Sequence, residues 1–265
     1  MKISNITTRD DYDALVAETL DRWSETPRTC GETEILTFSG RHIDLLSPRL
    51  SDIDPVDLLH SLCHTSRFTG HTANFFSIAQ HSTNVWFLCS KWAKPHAVAH
   101  DAIETYIGDD SSPKKRAVRL LTGGPRSGLD NLKDRFDPLV HQRLGLAFPA
   151  NQSIKNEITL FDQVAMHYES KALLPEPVCS NPIESWGKEF CDNIERNLSH
   201  EEFPISQVMT AFAQLMAATF PHIAPELSNY LPKPVLRGPG LKFDHACEGK
   251  GSSQVDISAM NFSPI

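Results

Sequence analysis

A chain of 265 residues with 33 acidic and 25 basic side chains carries a formal net charge of −8 with its histidines neutral. That balance excludes a nonspecific coat for nucleic acid or acidic membrane, though a few local cations can still serve an anionic substrate. With 40% hydrophobic and 22% charged residues, the composition is that of an ordinary globular chain. A compact chain of this length buries about 70–75% of its unfolded surface without needing disulfides.

The six cysteines, at 30, 63, 89, 179, 191 and 247, form no CxxC pair, which argues for reduced, packing thiols rather than a zinc ribbon. The opening MKISNITTRDDYDALVAETLDRW lacks the apolar core of a signal peptide. No stretch is apolar and long enough for a bilayer span.

In chain order, residues 11–23 read as a short helix and 34–39, EILTFS, as a small strand closed by a turn at 40–41. A helix is predicted over 55–66, with Asp54 as cap, Pro55 in the first turn and Val56, Leu58, Leu59 and Leu62 as its apolar face. The loop RFTGHTAN follows, then a helix within 75–93 capped by Ser77, with Ile78, Val85 and Leu88 inward. Phe75, Phe76, Trp86 and Phe87 read as core or helix-interface aromatics rather than base-recognition groups.

Pro95 opens a further predicted helix through HAVAHDAIETYIG, released by Gly108. A loop containing Pro113, a helix near 114–121, a turn at 123–128 and helices at 129–145, 157–175, 183–198 and 205–219 complete the pattern. The last 40 residues, with RGPG at 237–240 and GKGSS at 249–253, carry no regular period. Strand-rich and dinucleotide-binding patterns are absent, so the predicted fold class is all-α.

The residues with chemical content are His100 and Asp101, with Glu104 three positions on and Asp109 just past Gly108. Carboxylates three apart share a helix edge. His81 sits one helix earlier, and Asp162 lies on a distant one. Two imidazoles and two oxygen donors suit a transition metal that keeps open positions for water and phosphate. Taken singly, each has a plainer reading: a surface His-Asp pair, a core histidine at 81, a helix-face charge at 162.

RFTGHTANFFSIAQHS at 67–82, HDAIETYIGDDSSPKKR at 100–116 and ITLFDQVAMHYESKALLP at 158–175 together resemble the HD-domain phosphohydrolases. The branch most similar is the small one containing 5'-deoxynucleotidases and phage deoxynucleoside triphosphohydrolases. The resemblance implies an HD-domain helical bundle over 35–176, preceded by a helical extension over 1–34. Additional helices over 177–225 and an irregular tail over 226–265 would follow.

It implies His81, His100, Asp101 and Asp162 as ligands of a divalent metal (Zn, Co, Mn or Mg), with a second ion allowed alongside substrate. Glu104 and Asp109 become the catalytic acids, their division of labour open. Arg67, Phe68, His71, Lys114 and Lys115 become the substrate side, Lys115 falling on the family's SP-x-K phosphate loop, here SPKK. His64, in contrast, reads as a packing or solvent-facing residue.

The resemblance further implies hydrolysis of dATP to deoxyadenosine and triphosphate, or of dAMP or another deoxynucleoside monophosphate. A nucleotide-binding regulator without turnover is the third reading. A soluble enzyme of the cytoplasm follows (of the host cytoplasm if phage-encoded), with no membrane or stable nucleic-acid partner, and homo-oligomers are in keeping with the family.

Overall fold

The computed structural model describes residues 8–24, 31–126 and 128–231. RGPG, GKGSS, Cys30, Cys247 and the tail beyond 231 lie outside the described residues. Among those described, helices dominate and the sheet is a single two-stranded ribbon.

Helix α1 (Arg9–Ser24) is followed by β1 (Glu34–Leu36) and β2 (His42–Asp44), antiparallel with Ile35 opposite Ile43. The predicted strand is thus shorter, because the chain turns at 37–41, where Gly40 takes φ 82° and Thr37 N–H donates to Arg41 O. Helix α2 (Pro55–His64) starts where its signals placed it, the Asp54 side chain accepting from Val56 N. It buries Leu58, Leu59, Leu62 and Cys63, roughly 2–3 kcal/mol for each large aliphatic side chain.

Helix α3 (Ile78–Leu88) opens with a capping box, Ser77 and Gln80 satisfying each other's backbone N–H groups. Phe75 and Phe76 therefore precede it; Phe76 is fully buried, and Trp86 packs against both apolar clusters of the molecule. His64 is exposed and stacks on His60, which in turn stacks on Phe38.

The single helix expected from Pro95 to Gly108 is two short ones, α4 (Lys94–Ala99) and α5 (Glu104–Ile107), joined by a tightened turn. Across that turn the backbone bonds run i to i+3: Ala102 to Ala99, Glu104 to Asp101, Thr105 to Ala102 and Tyr106 to Ile103. Three residues per turn eclipse positions 101 and 104, placing both carboxylates on one edge.

Pro113 is not in a loop but in the first turn of α6 (Ser112–Thr122), where its missing N–H costs nothing. Helix α7 (Gly128–Arg143) agrees closely with its prediction. Helix α8 (Gln152–Leu173) begins five residues before the predicted start, capped by the Asn151 side chain accepting from Ile154 N. Helices α9 (Lys188–Asn197) and α10 (Ile205–Thr219) follow.

The larger apolar cluster draws on α2, α3, α7 and α10, with Phe136, Phe212 and Ile223 fully or almost fully buried. The second joins α3, α4, α8 and α9 around Val85, Ala97 and Val164. Helix α3 is common to both, and α4 and α8 pack against it. Cys63 and Cys89 are buried within these clusters, and burial pushes both thiols up to about 12. No helix among the described residues is long and apolar enough to cross a membrane.

Candidate metal centre

Helix α3 carries His81 inward, wholly buried, between α4 and α8. The turn after α4 presents His100, whose Nε2 lies 3.3 Å from His81 Nε2. Helix α8 brings Asp162 Oδ1 within 3.1 Å of His81 Nε2. Donor atoms of His81, His100 and Asp162 all lie within 4.8 Å of one another. Asp101 adjoins them, its Oδ2 3.2 Å from His100 Nε2 and 3.6 Å from His81 Nε2.

The hydrogen bonds on the far side of each ring fix which nitrogen carries the proton. His100 Nδ1 lies 2.7 Å from Ala97 O, and a carbonyl only accepts, so Nδ1 holds the hydrogen and Nε2 presents its lone pair. His81 Nδ1 faces the Glu169 carboxylate at 2.9 and 3.1 Å, which orients that ring in the same sense. Two lone pairs 3.3 Å apart repel unless a cation, proton or metal, lies between them. The donor set thus suits a borderline divalent ion: two imidazole nitrogens and a carboxylate.

Electrostatics say the same. Burial, opposed by nothing, would depress the His81 pKa, and the Arg67 guanidinium adds to that. Glu169 and Asp162 outweigh both and raise it to about 10. Asp101 is held well below the usual carboxylate range: its burial is overcome by His100, His81 and Arg67. Asp162 and Glu169 are lowered as well, each against burial and chiefly by His81. Three ionised carboxylates, Asp101, Asp162 and Glu169, therefore stand against the charges of His81 and Arg67 and leave the cluster net negative.

Glu104, 5% exposed, behaves oppositely: burial first, then the charges of Asp101 and Asp109, push its carboxyl up to about 9. Its Oε2 has no hydrogen-bond partner. Asp109 accepts from Thr69 N at 3.2 Å, joining the segment after Gly108 to the RFTG turn. That turn is unusual, with Phe68 at φ 52° and Thr69 at φ 55°, both left-handed without being glycine.

Arg67 enters the cluster from this turn. Its side chain is 11% exposed, its Nε stands 3.9 Å from Glu169 Oε2 without a hydrogen-bond partner, and its guanidinium lies over the Phe68 ring. The charge of Lys115 opposes the rise in the Glu104 pKa, though weakly beside burial and the two aspartates. Lys114 is tied instead to Asp110 at 3.0 Å. His71 is exposed at the end of the turn, its backbone N–H donating to Phe68 O; its ring is not one of the donors gathered around His81.

Two residues at the centre have no place in the sequence-derived set: Glu169 and Asn84, whose Nδ2 donates to Glu169 Oε1 at 2.8 Å. The signal was spacing. Glu169 lies seven residues after Asp162, two turns along one face of α8, and Asn84 three after His81 on α3.

No protein-family model matches the chain. It is 33% identical over 146 residues to the uncharacterized protein RCAP_rcc00048 of Rhodobacter capsulatus, a match covering 51% of this chain and 70% of that one. To the uncharacterized protein YfdR of Escherichia coli it is 34% identical over 116 residues, covering 42% of this chain and 58% of YfdR, so it spans less than two thirds of that relative. At that identity and coverage, the chain belongs to the family of the Rhodobacter capsulatus protein.

Proposed function

We propose that this protein is a metal-dependent phosphohydrolase of the HD type that cleaves deoxynucleotides, dATP first among them, into deoxyadenosine and triphosphate. The observation that carries the reading is the convergence of His81 Nε2, His100 Nε2 and the Asp162 carboxylate beside a largely covered Arg67 whose Nε has no hydrogen-bond partner. His81, His100 and Asp162, with Asp101 alongside, would hold a divalent ion (Zn, Co, Mn or Mg). Such an ion, when bound, supplies positive charge against phosphoryl oxygens and makes water more acidic.

The protein's own residues would divide the remaining work. Arg67 offers a planar guanidinium to the phosphate, and Lys115 a second cation. Asp109, which accepts from Thr69 N, would orient the attacking water. Glu104, protonated at neutral pH by its surroundings, would give its proton to the 5' oxygen as the phosphorus–oxygen bond on the nucleoside side breaks. Water adds to phosphorus, and its proton passes to a carboxylate of the cluster.

A second reading is a 5'-deoxynucleotidase acting on dAMP or another deoxynucleoside monophosphate. It is favoured by the pairing of Lys114 with Asp110, which leaves Lys115 with less cationic company for a long phosphate chain.

The test is a panel of dATP, dAMP and other nucleotides against metal-free protein supplied with Co, Mn, Mg or Zn, with triphosphate and monophosphate measured separately. Metal-dependent triphosphate release supports the first reading, and orthophosphate release from monophosphates the second. Specific nucleotide binding without turnover in any metal would overturn both and leave a regulatory protein.

A further inference from the structure

We propose that Glu169 is the positioning residue of the site: it fixes His81 with its Nε2 lone pair toward the donor cluster while serving as the anchor of Arg67. The inference rests on the metal-centre reading above. Glu169 is 1% exposed, and an ion this deep is unfavourable unless fully compensated. An apolar side chain would fill the same space on α8 at lower cost. What the carboxylate provides is acceptor capacity on every side.

The hydrogen bonds around it have a definite direction. Ser199 N–H donates to Asn84 Oδ1 at 3.0 Å, so the Asn84 amide nitrogen is the end that faces Glu169, donating to its Oε1 at 2.8 Å and to Ser199 O at 2.8 Å. His81 Nδ1 donates to the same carboxylate. Arg67 Nε faces Oε2. Two hydrogen-bond donors, from His81 and Asn84, and the Arg67 guanidinium as an ion-pair partner thus converge on two oxygens, a set that suits an acceptor-only carboxylate. The polarity set at the Ser199 backbone ends at the metal-facing nitrogen of His81.

A glutamine at 169 keeps the shape but must turn an NH2 toward one of these donors. Glu169→Gln forces either His81 or Asn84 to reverse, and a reversed His81 carries a proton where a metal would bind. We expect Glu169→Gln to weaken Co2+ binding by about 10–100-fold, measured by titration calorimetry of the metal-free full chain. Glu169→Asp keeps an acceptor-only carboxylate opposite Asn84 and His81 and should retain more Co2+ affinity than Glu169→Gln although it changes the side-chain length, which a purely steric defect would not allow.

Wild type that binds Co2+ and an equally tight Glu169→Gln overturn the proposal while leaving the metal centre standing. Wild type that holds no Co2+ overturns the metal centre, and this proposal with it. Should Glu169→Gln fail to fold, ring 15N NMR of His81 in the Zn2+-loaded wild type decides: Nδ1 protonated and Nε2 metal-bound supports the proposal, and the reverse overturns it.

Discussion

Glu104 offers the sharpest quantitative prediction. In the unfolded chain its carboxyl titrates near its ordinary value of 4.5, whereas in the fold burial and the neighbouring Asp101 and Asp109 raise it to about 9. Between those values the folded protein holds one proton more than the unfolded one. The stabilisation is therefore fully present below the unfolded pKa and is lost as pH rises through the folded one.

One proton corresponds to a slope of at most about 1.4 kcal/mol per pH unit. Glu104→Gln is neutral throughout and has no such slope. Its stability relative to wild type should therefore increase between pH 5.5 and 8.5 by up to about 4 kcal/mol, and by about 2 kcal/mol if the neighbouring carboxylates relax. Urea unfolding of both proteins at four pH values, in a chelator so that no metal biases the cluster, measures the difference. A difference that stays flat within about 0.5 kcal/mol across the range would refute the account of a carboxyl kept protonated by its neighbours.

Two further substitutions test the scaffold that supports the site. Thr69, exposed at φ 55°, bears the cost of a β-branched residue in left-handed backbone, so Thr69→Gly should stabilise by about 0.5–1 kcal/mol in thermal or urea melts. Thr69→Ala should gain nothing; equal gains for both would contradict the strain. Phe212 on α10 is 1% exposed within the larger cluster that also holds Leu59 and Ala79, so Phe212→Ala should cost about 3–5 kcal/mol. A loss under about 1 kcal/mol would mean that α10 is not part of that core.

Where local chemistry decides an element, the sequence was readable. Asp54 and Pro55 open α2, Ser77 with Gln80 opens α3, and Leu58, Leu59 and Leu62 mark a buried face. The readings that failed are those in which distant contacts or weak periodicity decide. The first turn of α8 is largely exposed and offers a single apolar residue, Ile154, which packs on the second cluster, so little besides the Asn151 cap announces it. The break between α4 and α5 comes from i to i+3 bonds within a sequence that is helical by composition, and that break sets His100 and Asp101 on the site's edge.

The donors themselves were legible as residue types, and the structure brings His81, His100 and Asp162 together from α3, the turn after α4, and α8. Glu169 was not legible. As one of three acidic residues on α8, it resembles a solvent-facing charge until α3 is packed against it and its carboxylate meets His81 and Asn84. Lys114 and Lys115 are alike in the sequence, and only the fold distinguishes them, by pairing Lys114 with Asp110.

The central claim is that His81, His100 and Asp162 form a centre for one tightly held divalent ion, and its most direct test is metal content. Metal-free wild type exposed to Co2+ or Zn2+ and then dialysed should retain about one ion per chain by elemental analysis, the stoichiometry expected of a single site with two imidazoles and a carboxylate. His81→Ala and Asp162→Ala, shown folded by circular dichroism, should retain far less. Wild type that retains none, or variants that retain as much as wild type, would contradict the account.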